Sequence, residues 1–184
     1  MYRAITWLAL EQGIDPEDEG ALGRLAQETV IRLKEQDANI VLIDGREVSE
    51  ELRQPQVDRS VSLVARVLAV RSALVAQQRE IAQGGRIVMV GRDIGTVVLP
   101  YADLKLFLIA SVSERARRRY TELTQQGHGV EYHQVLKDIA SRDELDTGRA
   151  HSPLRPAPDA ITLDTDGISV EQVIERVLEI VGED

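Results

Sequence analysis

The sequence predicts a three-layer α/β domain around a parallel sheet, with a small β-rich insertion near residues 29–60. Three observations carry this expectation. RIVMV (86–90), LKLFLIA (104–110) and DAITLD (159–164) are nearly continuous apolar runs, as in parallel strands covered on both faces. Helical patterns lie between or after those runs. Two shorter runs, TVIRLK (29–34) and ANIVLID (38–44), read as short strands separated by a polar turn.

Taken in chain order, residues 3–11 form part of a helix, with Ile5, Leu8 and Ala9 spaced for one face. Asp15-Pro16 is a helix-start signal for a helix over roughly 16–27. After the two short strands, Asp44-Gly45 turns the chain towards Arg46-Glu47-Val48. Residues 49–83 are helical, broken near Pro55 and ending at Gly84-Gly85. SVSERARRRYTELTQQG opens with Ser111 and Glu114 at capping-box spacing and stops at Gly127. SVEQVIERVLEIV opens with Ser169 and Gln172 in the same relation and should bury Val173, Ile174, Val177 and Leu178. No internal repeat or low-complexity tract interrupts this order.

Composition narrows the function. With 184 residues, 43% of them hydrophobic, the chain supports one core of ordinary size and a small subdomain. The absence of cysteine excludes disulfides and thiolate metal sites, and a reducing cytoplasm is the simplest home. His128, His133 and His151 show no ligand spacing, so each reads as a surface or loop residue and no metal site is expected. The first apolar run ends at Glu11, too short for a signal-peptide core, and no segment reaches membrane-spanning length. A net charge of −9 argues against a broad nucleic-acid surface. Arginine nevertheless makes up all but three of the 22 cationic residues; a GC-rich genome and recognition of phosphate by planar guanidinium forks are both open explanations.

Three stretches carry chemistry. In open α/β sheets ligands bind beyond the carboxyl ends of strands, where Arg92 and Asp93 stand between glycines. The two could instead pair with each other or cap a neighbouring helix, but adjacent side chains on an extended chain point opposite ways. In SERARRRYTE, Glu114, Arg118 and Glu122 form two i,i+4 pairs typical of a solvated helix. Four arginines in five positions still exceed what two glutamates neutralise, and an anionic ligand would supply the missing charge. In SRDELDTGRAHSPLRPAPDA, Arg142, Asp146 and Arg149 recur at helical intervals, a common surface decoration when alone. Together the three stretches suit phosphoryl transfer, in which a protein mainly positions groups and neutralises charge.

MYRA, VSLVARVLAVRSAL, GRDIGTVVLPYADLKLFLIASVSERARRRY and SRDELDTGRAHSPLRPAPDAITLDTDGISVEQVIERVL together resemble the bacterial cytidylate kinases. The resemblance runs through nearly the whole chain. It implies transfer of the ATP γ-phosphoryl group to CMP or dCMP with Mg²⁺, in a cytoplasmic monomer with no nucleic-acid or membrane partner. It also implies a P-loop kinase fold: a parallel-sheet core, a small β-rich insert for the acceptor nucleotide and a helical lid. On this chain the parts fall at 1–28 (core helices), 29–60 (acceptor insert), 61–112 (core), 113–150 (lid) and 151–184 (C-terminal strand and helix).

Carried over by residue, the resemblance assigns cytosine recognition to Ser62, Arg71 and Asp93. A carboxylate accepts from the exocyclic amine of cytosine, and uracil would face it with a second acceptor. Arg3 and Arg92 match acceptor-phosphate contacts, with Arg149 joining them and Tyr2 beside Arg3 in the acceptor site. Arg142 and Asp146 match sugar contacts. Arg115, Arg118 or Arg119, on the lid, would approach the transferred group together with Arg92, and which makes the decisive contact stays open.

The sequence also departs from the family pattern. A P-loop reads G-x-x-x-x-G-K-[ST], and Lys34, Lys105 and Lys137 each follow leucine instead. The resemblance places a strand, the P-loop, a helix and a second strand ahead of MYR. Without them the strands at 87–90 and 104–110 would each face a slot of unpaired backbone groups. The preferred expectation is a start at an internal methionine or a truncated reading. A degenerate relative that binds CMP without catalysing, and a core completed by another polypeptide, are the alternatives. Arg66 and Leu68, where the family has a small residue and proline, and Val90, where an acidic residue is common, are smaller departures.

Overall fold

A computed structural model describes residues 1–34 and 37–182. The chain divides into two compact units, one of Met1–Val90 with Arg149–Pro153, the other of Gly91–Gly148 with Leu154–Asp184.

The first unit opens with α1 (Tyr2–Glu11) and α2 (Glu19–Glu28). Helix α1 buries Ala4, Ile5, Thr6, Trp7 and Ala9 around most of its circumference, so burial extends beyond the predicted stripe, of which Leu8 is only partly buried. Helix α2 starts three residues later than Asp15-Pro16 indicates. Asp15 forms a turn, its carboxylate accepting from the Glu17 amide at 2.9 Å, and Asp18 caps the helix by accepting from the Ala21 amide at 2.9 Å. The two signals compete, and the cap nearer the apolar repeat sets the boundary.

Strands β1 (Ile31–Lys34), β2 (Asp37–Ile43) and β3 (Arg46–Val48) form an antiparallel sheet in that order. Ile31 pairs with Ile43, and Val41 with Val48. The polar turn between β1 and β2 falls at residues 35 and 36, outside the described residues. Asp44 and Gly45 both have positive φ (50° and 85°), the backbone that a tight two-residue hairpin demands. A 3₁₀ turn at Glu51–Arg53 leads to α3 (Pro55–Arg66), with Pro55 in its first turn, and α4 (Leu68–Ala82). The helical stretch breaks twice: before Pro55, and again at Val67, whose extended backbone (ψ 118°) bends α3 against α4 by 96°. Gln77 of α4 clamps the start of β1, accepting from the Ile31 amide at 3.0 Å and donating to the Thr29 carbonyl at 2.9 Å. No single described helix is long and apolar enough to cross a membrane.

The second unit contains a single π-type turn (Ile94–Val98), β4 (Leu106–Ile109), α5 (Val112–Gln125), α6 (Tyr132–Gly148), β5 (Ile161–Asp164) and α7 (Val170–Gly182). Strands β4 and β5 pair in parallel, Leu106 with Ile161 and Leu108 with Leu163. With seven α-helices elsewhere among the described residues, the chain is a mixed α/β protein with a parallel sheet, as the apolar runs predict. Helices α5 and α6 pack through Ala116, Leu123 and Val135, and the Tyr120 and Tyr132 rings meet edge-on at 5.9 Å. The Ser111 hydroxyl accepts from the Glu114 amide at 3.2 Å, and Ser169 and Gln172 close a reciprocal capping box at 2.9 and 3.3 Å.

Three expectations fail. The paired strands are not covered on both faces: Leu108 and Ile109 of β4 and Ile161 of β5 are exposed. Residues 86–90 form no strand, and Val88 and Val90 are 92% and 89% exposed. No described strand pairs with them, and an apolar run without a partner gains neither ladder hydrogen bonds nor burial. Helix α7 forms where predicted but buries no residue, and Ile174 and Leu178 are exposed. Its caps suffice for helix formation, whereas burial needs a surface opposite the stripe.

Candidate functional site

Within the second unit, GRD leads from the end of the 86–90 run into the Ile94–Val98 turn. The Asp93 carbonyl accepts from the Val97 amide at 2.9 Å and from the Thr96 hydroxyl at 3.3 Å, which fixes the turn's first residue. Asp93 is buried, while the Arg92 side chain is 36% exposed. The two neighbours occupy different surroundings, although Asp93 (φ −138°, ψ 24°) lies in a bend rather than on an extended strand.

Arg92 reaches α6. Its Nη1 lies 3.3 Å from Asp146 Oδ2 and 3.7 Å from Asp143 Oδ1. From α5, Arg115 lays its fork on the same helix, Nη1 donating to Asp143 Oδ1 at 2.9 Å and Nη2 to Asp143 Oδ2 at 2.7 Å. Arg115 Nε donates to the Ala110 carbonyl at 3.0 Å, just beyond β4. Arg142 Nε stands 3.8 Å from Asp146 Oδ2, one turn along α6. Three guanidinium groups thus gather at two carboxylates of α6. The arginine side chains are 28–36% exposed, Asp143 is 25% exposed, and Asp146, at 5%, is buried among them.

The remaining arginines of α5 are held elsewhere. Arg118 donates from Nε to Glu114 at 2.7 Å and from its fork to the Thr165 carbonyl at the end of β5. Arg117 is bidentate to Glu114 at 2.7 and 2.9 Å, and Arg119 pairs with Glu122 at 2.7 Å. The Arg117 hydrogen bond, followed by that of Arg118, holds the Glu114 carboxyl well below its usual range, at about 2. Of the lid arginines named from sequence, Arg115 joins Arg92 on Asp143 of α6.

In the first unit Arg3 donates to the Leu52 carbonyl at 2.8 Å and pairs with Asp58 of α3. Ser62 of α3 and Arg71 of α4 are both buried, at 8% and 3% exposure. Arg71 donates to the Ala65 carbonyl at 3.2 Å, and its guanidinium lies 5.4 Å from the centre of the Tyr2 ring. Arg149 donates from Nε to the Ser152 carbonyl at 2.5 Å. The helix pair thus buries an arginine and a serine, with an aromatic face beside the guanidinium.

A family model described as cytidylate kinase matches residues 1–183. The chain belongs to the cytidylate kinase family. The cytidylate kinase of Geobacillus kaustophilus is 50% identical over 184 residues, which cover all of this chain and 82% of that protein. The cytidylate kinase of Pelotomaculum thermopropionicum is 49% identical over 180 residues, 97% of this chain and 80% of that one. That of Bacillus velezensis is 48% identical over 182 residues, 98% and 81% of the two chains. The resemblance read from GRDIGT and SPLRPAPDA thus holds across the chain of this cytidylate kinase homologue.

Two residues at these sites escaped the sequence reading. Asp143 follows Arg142 directly and was hidden within a pattern read at intervals of four and three. Its signal was its place one helical turn before Thr147 and three residues before Asp146, on the face that α5 covers. Asp58, the partner of Arg3, lies in a stretch read only as helix, and no local pattern links it to a residue 55 positions earlier.

Proposed function

We propose that this chain acts as a nucleoside monophosphate kinase that transfers the γ-phosphoryl group of ATP to CMP or dCMP, giving CDP or dCDP. The observation that supports it best is the contrast within Arg92-Asp93: a buried carboxylate beside a half-exposed guanidinium that already leans on two acids. Asp93 accepts from the cytosine amine, with Ser62 and Arg71 on the ring carbonyl and nitrogen. Arg3, Arg92 and Arg149 take the acceptor phosphate, and Arg142 and Asp146 the sugar. Tyr2 supports Arg71 through its ring.

In the reaction a non-bridging oxygen of the CMP phosphate forms a bond to the γ-phosphorus, the bond from that phosphorus to the β–γ bridging oxygen breaks, and ADP leaves. The attacking oxygen is already anionic, so no general base is required. The arginines screen repulsion between the two nucleotides and offset charge on the equatorial oxygens, an effect worth roughly 10³-fold or more in rate. Arg115 is the α5 arginine assigned to the transferred group, because it faces the Arg92 cluster, and Arg118 and Arg119 act behind it. Mg²⁺ enters with ATP as part of the donor substrate.

Calorimetric titration of the chain with CMP, dCMP and UMP, paired with an ADP-coupled assay, tests the proposal. CMP should bind about tenfold or more tightly than UMP, and Asp93→Asn should erase the difference. A folded chain that binds no CMP would overturn it. Tight CMP binding without ADP formation would instead support a module that binds the acceptor alone.

A further inference from the structure

Asp143 has no role in the reading above, yet it is the group on which two of its arginines converge. One carboxylate takes both fork nitrogens of Arg115 and lies 3.7 Å from Arg92. We propose that Asp143 is a positioning residue: its carboxylate holds the Arg115 and Arg92 guanidinium groups in one fixed orientation, ready to receive phosphate oxygens. The proposal rests on the phosphoryl-transfer reading, which supplies the anion.

Three arguments carry it. Arg115 is fixed at three points, Nε on the Ala110 carbonyl and one hydrogen of each Nη on Asp143, so its plane is set by both the end of β4 and α6. A guanidinium has five N–H donors, and these contacts use three, leaving two for a ligand. Arginine loses much rotamer freedom when captured, and a group ordered beforehand loses little at the moment of reaction.

The second argument is exposure. The Arg115 and Arg92 side chains stay 32% and 36% exposed while in contact with Asp143, so both keep surface open to solvent. An anion arriving from solvent can reach both guanidinium groups.

The third is charge. Asp143 is an anion placed beside a site for anions, which weakens ground-state binding of phosphate by Coulomb repulsion. Retaining such a group makes sense only where orientation outweighs affinity, since rate depends on interactions stronger in the transition state than in the ground state. A residue that merely supports the fold would show no such trade.

The trade gives the test. Arginine-selective ¹⁵N NMR on the whole chain should resolve the Arg115 Nε and Nη signals, and inorganic phosphate should shift those of Arg115 and Arg92. In Asp143→Asn the Arg115 Nη signals should collapse to the averaged position of a freely rotating guanidinium, while phosphate and CMP bind about threefold more tightly for want of a like charge. Cytidine, which has no phosphate, should bind with unchanged affinity. Asp143→Glu restores the charge and should keep the Arg115 signals resolved; it serves as the informative variant if Asp143→Asn does not fold.

Resolved Arg115 signals in a folded Asp143→Asn, averaged signals in a folded Asp143→Glu, phosphate binding that weakens in Asp143→Asn, or a wild-type chain whose Arg92 and Arg115 signals ignore phosphate would each overturn the proposal. A wild-type chain that answers phosphate but not CMP would count against the cytidylate reading and leave the role of Asp143 standing.

Discussion

Arg71 on α4 carries its guanidinium 5.4 Å from the ring centre of Tyr2 on α1. Both helices belong to the core that holds Ile5, Leu22, Val70 and Leu74, so the contact is formed by packing rather than by chance encounter at a surface. Because Arg71 is 3% exposed, its attraction to the ring is poorly screened. Tyr2→Leu should cost about 1–2 kcal/mol in urea unfolding, whereas Tyr2→Phe, which keeps the ring, should cost no more than about 0.5 kcal/mol. Equal losses in both variants would show that the ring face does not hold Arg71.

Gly23 marks a place where two helices touch. A Cβ there would lie 2.8 Å from the Ala69 Cβ of α4, and a methyl carried on a helix backbone yields only if the helix shifts. Gly23→Ala should therefore destabilise by about 1–3 kcal/mol, although alanine favours an isolated helix by about 1 kcal/mol over glycine. The double variant Gly23→Ala with Ala69→Gly should recover much of the loss. A higher urea midpoint in Gly23→Ala alone would contradict the close approach.

These two contacts show which parts of the structure can be read in one dimension. Ser111 and Ser169 announce their helices because a cap, its partner three residues on and the apolar repeat all lie within one turn. Asp44-Gly45 announces its hairpin because the turn alone dictates positive φ. Leu106–Ile109 and Ile161–Asp164 are legible as strands and they find each other, although only Leu163 of the eight residues is buried. Residues 86–90 carry the same pattern and stay unpaired, since an apolar run reports a demand for burial and says nothing of whether a neighbour meets it. The stripe on α7 fails for the same reason.

The candidate site divides in the same way. Arg92, Asp93, Arg142 and Asp146 stand out because their spacing is local and chemically dense. The tie between Arg115 and Asp143 spans 28 residues and two helices, and Arg3 with Asp58 spans 55, so neither pair has a sequence signature. Four neighbouring arginines on α5 look equivalent as a string; only their partners separate them.

Glu114 gives a pH-dependent expectation. Its carboxyl is held at about 2, chiefly by the Arg117 hydrogen bond, against an ordinary value of 4.5. A depressed carboxylate favours the folded state above the ordinary value, and that contribution disappears as pH falls from there towards the depressed one. The stability gap between the wild type and Glu114→Gln should be constant from pH 7 to about pH 5 and should close between about pH 4.5 and 2. A gap that persists unchanged to pH 2 would mean that the charge of Glu114 contributes nothing.

Lys105 tests how the parallel pair is anchored. The residue immediately precedes β4, its side chain is 8% exposed, and its ammonium donates to the Pro100 carbonyl at 2.5 Å and to Asp159 Oδ2 at 2.6 Å. Asp159 lies just ahead of β5, so the pair ties together the entrances of both strands. The lysine hydrogen bond holds the Asp159 carboxyl below its ordinary range. The two partners are not equivalent, because the buried ammonium depends on the acid far more than the 64% exposed carboxylate depends on the lysine. Asp159→Asn leaves a buried cation with only neutral acceptors, which is the costly way to break such a pair. Lys105→Met removes the cation and keeps most of the apolar stem that packs beside Gly95, so little is stranded. Thermal unfolding should therefore place Asp159→Asn below Lys105→Met, with the methionine variant close to wild type. The reverse order would show that the ion pair itself, rather than relief of a buried charge, holds the strand entrances together.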